Sequence, residues 1–261
     1  MKKSLIFLAV LVSFALPYSA HAIVITEDFA SYVAGADGSN NLNNADGPGN
    51  WTTAWTPAGS AIFSCVTLDG NNVGEFNGTA LTTDRYQRDF AALSSIESNG
   101  ISFTLRINYT PTSMNVTYAR FQIGTEGHPG IDVGFFNSPD PAKKISIVTF
   151  DTTNNFKYIK TDVSPNTTYT INVTAVDFNA KTYTINVDGG ASQTAYFKEG
   201  AGSTVTAFTW VALDGNTFGS TNYMYVDNIS ISGVPEPSSI AFFGMGLFGL
   251  IGAGIRRFKK S

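Results

Sequence analysis

Ile101-Ser102-Phe103-Thr104-Leu105-Arg106-Ile107-Asn108 alternates apolar and polar side chains without a fault. In an extended chain that period puts Ile101, Phe103, Leu105 and Ile107 on one face and the polar residues on the other, as in a strand with one face in a core. The same period recurs at Tyr169, Ile171, Val173 and Ala175 and, after Phe178-Asn179-Ala180-Lys181, at Tyr183, Ile185 and Val187. These two runs read as a hairpin that ends at the turn residues Asp188-Gly189-Gly190. Further strands are predicted over 62–68, 73–76, 117–123, 131–136, 145–150, 156–160, 205–213 and 223–232. No stretch between the two ends of the chain carries a helical stripe. Many short strands separated by Gly, Asn, Asp and Pro turns predict an all-β jelly-roll sandwich of two antiparallel sheets that bury their inner faces against each other.

The ends of the chain obey different rules. Lys2 and Lys3 precede an apolar stretch from Leu5 to Leu16, and Ser19-Ala20-His21-Ala22 supplies small residues where a signal peptidase reads; residues 1–22 are predicted to be a signal peptide. At the other end Val234-Pro235-Glu236-Pro237 is followed by an uncharged run from Ile240 to Ile255 and then by Arg256-Arg257-Phe258-Lys259-Lys260. With Ser238 and Ser239 the run is long enough for a short transmembrane helix over 238–255. The basic tail 256–260 should hold its own end in the cytoplasm, which puts everything before Pro235 across the membrane. Pro235 and Pro237 fix their φ angles and forbid helix, so the motif between domain and membrane is expected to be extended and open to a peptidase. The glycines of the apolar run include a formal G-x-G-x-x-G, but no strand precedes it; close helix packing is the better reading.

Between these ends, residues 23–233 keep 10 basic against 19 acidic residues, a net charge of −9. That balance argues against nucleic acid or anionic lipid as a partner. Cys65 is the single cysteine, so no internal disulfide supports the fold, and its strand-like surroundings predict a small buried apolar residue. A thiol nucleophile would need a histidine, and the mature chain has only His128.

The tail resembles the PEP-CTERM sorting signal of Gram-negative bacteria in all three of its parts: Val234-Pro235-Glu236-Pro237, the apolar helix, and the basic end with Arg256 and Arg257. The resemblance implies an exosortase as partner. It also implies an inner-membrane-anchored intermediate facing the periplasm, followed by a cell-surface or extracellular form, and a link to exopolysaccharide. The segments Glu27-Asp28-Phe29 and Asn50-Trp51-Thr52-Thr53-Ala54-Trp55, with the closing Met224-Tyr225-Val226-Asp227-Asn228-Ile229-Ser230-Ile231, resemble concanavalin-A-like (laminin-G-like) domains. That resemblance implies one domain over 23–233 whose first and last strands pair. It further implies a structural calcium held by the terminal strand's aspartate, with Glu27 and Asp227 as its ligands. Asp227 interrupts the apolar face set by Tyr223, Tyr225, Ile229 and Ile231, and a carboxylate there is costly unless it is paired, hydrogen-bonded or metal-bound.

Candidates for chemistry are few. Concanavalin-A-like glycosidases of the laminarinase type carry a Glu-x-Asp-x-Glu or Glu-x-Asp-x-x-Glu strand, and this chain has none. Glu126 and Asp132, separated by Gly127-His128-Pro129-Gly130, are the pair to check for a glycosidase, whose two carboxyls must stand at catalytic separation. Sugars stack on exposed aromatic faces, which makes Trp51 and Trp55 the candidate carbohydrate-binding residues. The sequence as a whole reads as a non-enzymatic, exported, exosortase-processed protein of the polysaccharide matrix or of adhesion. The alternatives are a carbohydrate-binding module and a glycoside hydrolase.

Overall fold

A computed structural model describes residues 22–34, 49–58, 62–77, 85–108, 116–125, 128–198, 205–212 and 223–235. The predicted signal peptide up to His21, Glu236 and Pro237 of the motif, the predicted membrane helix 238–255 and the basic tail with Arg256 and Arg257 lie outside these residues. Among the described residues no helix is long and apolar enough to cross a membrane.

The described residues form fourteen strands. In chain order they are β1 Ile23–Glu27, β2 Thr56–Ala58, β3 Ile62–Leu68, β4 Asn71–Asn77, β5 Arg85–Ile107, β6 Val116–Thr125, β7 His128–Asn137, β8 Ile145–Phe150, β9 Phe156–Lys160, β10 Tyr169–Asp177, β11 Thr182–Val187, β12 Gln193–Tyr196, β13 Val205–Ala212 and β14 Met224–Pro235. All pair antiparallel in one sheet that curls back on itself. The 23-residue β5 makes the closure. Its first part pairs with β13 and β2, and its second part pairs with β10.

The curl leaves two layers face to face, the β-sandwich that the strand pattern predicted. Ile101, Phe103, Leu105 and Ile107 are at most 1% exposed. Phe103 meets Phe121 of β6 with ring centroids 5.5 Å apart, and Phe135 of β7 meets Tyr169 of β10 edge-on at 6.5 Å. Burying such rings, each worth about 1.5–3 kcal/mol, is what holds the layers together. The expected hairpin of β10 and β11 forms, with Ile171 opposite Val187 and Val173 opposite Ile185. One residue departs from the period: Ala175 has φ +47° and is exposed, because a bulge between Thr174 and Asp177 gives the inward place to Val176.

First and last strands pair as expected. β1 runs antiparallel to β14 from Ile23 opposite Gly233 to Glu27 opposite Ile229. β14 lies between β5 on one side and β1 and β4 on the other. It continues past residue 233: Val234 is opposite Ser95 and Pro235 opposite Leu93, and the Ser94 hydroxyl donates to the Val234 carbonyl at 3.3 Å. Gly233 is required by close approach, since a Cβ there would stand 2.6 Å from the Ser95 carbonyl oxygen. The first two residues of the Val-Pro-Glu-Pro motif therefore belong to the sandwich, rather than to a free segment beyond it.

Candidate functional site

The outer face of the β5–β14 pair holds a cleft. Alternation turns Leu105 and Val226 into the core and leaves Thr104, Arg106, Tyr225 and Asp227 on the opposite face. They line a cleft of about 140 Å³ with Asp69 and Asn71 of the β3–β4 turn. β14 bulges here: Asn228 takes φ +53°, its side-chain amide donates to Asp227 Oδ2 at 2.9 Å, and the register shifts between Asp227 and Ser230. Arg106 donates from Nη1 to Asp69 at 2.6 Å. Arg106 Nε and Asp227 Oδ1 are buried without a hydrogen-bond partner. Next to this cleft a second one, of about 470 Å³, is bordered by Glu75, Tyr223 and Tyr225. Burial pushes the Glu75 carboxyl up, and the neighbouring Tyr225 hydroxyl opposes the rise.

Burial, helped by the charges of Asp28 and Glu27, pushes the Asp227 carboxyl up to about 6, against the hydrogen bond from the Asn228 backbone N–H. A carboxyl that titrates higher in the folded than in the unfolded chain binds protons on folding. Its penalty is absent below about pH 4 and complete above about pH 6. Asp227→Asn is therefore expected to melt above wild type at pH 8 and level with it near pH 4. The gap at pH 8 should be about 1 kcal/mol once the half-exposed position is discounted. Thermal melts of both proteins at the two pH values check this; a gap independent of pH would rule out the charge as its cause.

Glu27, expected to share a calcium with Asp227, is engaged elsewhere. It is 1% exposed and pairs with the fully buried Arg88, Nη1 to Oε2, at 2.5 Å. Its Oε1 accepts from the Phe29 amide at 3.0 Å and its Oε2 also accepts from the Tyr32 hydroxyl at 3.1 Å. A cation at Asp227 would have to draw its other ligands from elsewhere, and among the described residues no three His, Cys, Asp or Glu side chains stand close enough to hold a metal.

Trp51 and Trp55 pack against the Arg88 guanidinium. Trp55 is 0% exposed, stacked on Phe29 and edge-on to Phe63, so the expectation that it offers a face to a sugar is corrected: the ring is core. Trp51 is half-buried, donates its indole N–H to the Thr26 carbonyl at 2.9 Å, and has the Arg88 guanidinium 5.0 Å above its ring. It too is occupied by the protein. Cys65 is buried as expected, and burial pushes its thiol up to about 11, away from nucleophilic use.

On the opposite layer, Asp132 is 2% exposed. Arg120 grips it through both carboxylate oxygens, and Gln122 donates to Oδ2 at 3.1 Å. Its expected partner Glu126 lies outside the described residues. Arg120 and Lys198 both sit over the Phe150 ring, at 5.6 and 5.3 Å from its centroid. Burial lowers Arg120 to about 10, and burial with the Arg120 charge lowers Lys198.

The pattern of the C-terminal segment decides where such a chain goes. The family described as the PEP-CTERM protein-sorting motif matches residues 233–257. The chain carries this sorting signal. PEP-CTERM proteins are addressed to an exosortase and exported, and the matched residues begin at Gly233, inside β14. The match covers the end of the chain alone, and the sandwich is placed by structural likeness. A sialidase is similar at TM-score 0.53 and 12% identity over 81% of this chain, which spans only 18% of the sialidase's length. A carbohydrate esterase from the Shiga toxin-encoding bacteriophage phi24B aligns over 81% of this chain and 100% of its own at 14% identity and TM-score 0.48. An alginate lyase, Aly36B, aligns over 81% and 98% at 10% identity and TM-score 0.49. The sialidase likeness concerns the fold alone. No curated protein matches the sequence.

Proposed function

We propose that this PEP-CTERM protein is exported, processed by an exosortase, and works at the cell surface or in the extracellular matrix. Its sandwich acts there without catalysis, among exopolysaccharide or in adhesion. The observation that carries the reading is the sorting signal over 233–257, joined to the last strand of a β-sandwich with no linker between them. The absence of catalysis is supported by the state of the candidate groups. Asp132 is bound by Arg120 and Gln122, and Cys65 is buried with a raised thiol. The net charge of −9 over 23–233 favours partners other than nucleic acid.

Replacing Glu236, or deleting residues 256–260, is expected to leave the protein in the inner membrane at its full mature length, whereas the wild type is shortened at the tail and moves outward. Cell fractionation with intact-mass measurement tests this. Identical mass and location for wild type and both variants would refute the reading.

A further inference from the structure

We propose that the outer face of β3, β4, β14 and β5 is a groove for a neutral polysaccharide, with Asp227 and Arg106 holding the hydroxyls of one sugar unit. The cleft at Asp227, about 140 Å³, is open to solvent and takes up one edge of a sugar ring, with the rest of the ring outside it. Its wall contains one acceptor, Asp227 Oδ1, and one donor, Arg106 Nε, each buried without a partner in the protein. Unsatisfied buried polar atoms are rare in folded chains and call for a partner.

The two atoms narrow the choice of ligand. A cation would satisfy Asp227 but, having no acceptor, would leave the Arg106 Nε–H unpartnered. An anion would pair with Arg106 and be repelled by Asp227, with Asp69 and Glu75 adding to the repulsion. A neutral diol donates to the carboxylate and accepts from the guanidinium, so one molecule answers both. Asn71 supplies a further amide at the exposed rim.

The groove also has room for a chain. Past Tyr225 it opens into the 470 Å³ cleft, where the half-buried ring of Tyr223 lies 6.4 Å from that of the buried Tyr225 and offers the aromatic face. Aromatic surface beside hydrogen-bonding groups suits the apolar face of the next ring along a polymer. The ligand class rests on the proposed role among matrix polysaccharides; the groove itself rests on geometry.

The test uses the full-length chain purified in detergent on an array of neutral and acidic glycans, with Asp227→Ala and the exposed rim variant Asn71→Ala beside it. Binding to at least one neutral hexose polymer is expected, at least about tenfold weaker for Asp227→Ala and about threefold weaker for Asn71→Ala. The rim variant keeps the test informative should Asp227→Ala unfold, which circular dichroism reports. Capture of acidic glycans alone, no capture of any neutral glycan, or neutral binding unchanged in both variants would overturn the proposal. A calcium-dependent rise in melting temperature that Asp227→Ala abolishes would also overturn it, assigning the cleft to a cation. Export and tail processing are scored separately in cells: their failure strikes the proposed function, and failure on the array strikes the groove.

Discussion

Arg88→Met is expected to destabilise the sandwich by about 3–5 kcal/mol, the cost of leaving one member of a buried ion pair without the other. Arg88 is fully buried, and its guanidinium serves Glu27 at 2.5 Å, the Thr53 carbonyl at 3.0 Å and the Tyr32 hydroxyl at 3.3 Å, while lying 5.0 Å over Trp51. Methionine fills much of the volume but neutralises nothing, so the Glu27 carboxylate remains in an apolar shell with the Phe29 amide and the Tyr32 hydroxyl as its other donors. For a domain of this size the loss corresponds to a fall of roughly 10 °C in melting temperature. The double variant Glu27→Gln, Arg88→Met should recover a large part of it, because no charge is then stranded. Denaturant titration of the two single variants and the double variant measures the coupling. Losses that simply add would mean that the pair is not a unit.

A disulfide between positions 95 and 234 is expected to stop tail processing. Val234 and Ser95 are register partners in β14 and β5, and opposed residues of an antiparallel pair stand about 4.5–5.5 Å apart at Cα, within the range a disulfide spans. Cys65 is buried and does not compete. A peptidase takes its substrate extended and unpaired, yet the motif's first two residues are held to β5 by the ladder and by the Ser94 hydroxyl. A few hydrogen bonds of about 1 kcal/mol each resist fraying only weakly, so the wild-type end opens often. The cross-link removes that freedom. Ser95→Cys, Val234→Cys should show at least tenfold less shortened product under oxidising conditions, recovering with reductant, while each single variant is processed normally. Normal processing of the cross-linked protein would mean that the enzyme cuts beyond Pro235 without opening the strand.

How far the sequence foretold this structure depends on which face each residue serves. β8, buried on both faces, and β9, half-buried throughout, occur at the predicted bounds, and the alternation of 101–108 holds residue for residue because that part of β5 has one face in the core. The first part of β5 escaped notice. From Arg85 to Gly100 the strand passes from one layer to the other, so the inward face changes, Ser94 and Ser95 are exposed, and no single period survives. Gly100, at φ +69°, marks the bend.

The buried ion pair was half legible. Arg88 and Phe90 occupy alternate inward positions of β5, and an inward arginine calls for a carboxylate, but nothing in the spacing of 61 residues singles out Glu27. Trp51 and Trp55 carry no local mark that separates a core ring from a sugar platform. Only the assembled fold, which lays Phe29, Phe63 and Arg88 against them, makes that distinction. The outer groove needed β3, β4, β5 and β14 side by side and was invisible along the chain.

The position of β14 between two neighbours has a mechanical consequence. Tension entering at Pro235 pulls along the strand axis, across rungs to β5 on one flank and to β1 and β4 on the other. Beyond its frayed tip the strand is loaded in shear, with many perpendicular hydrogen bonds strained together rather than torn in sequence. A sandwich hung by that strand would stay folded under drag that unzips a terminal hairpin.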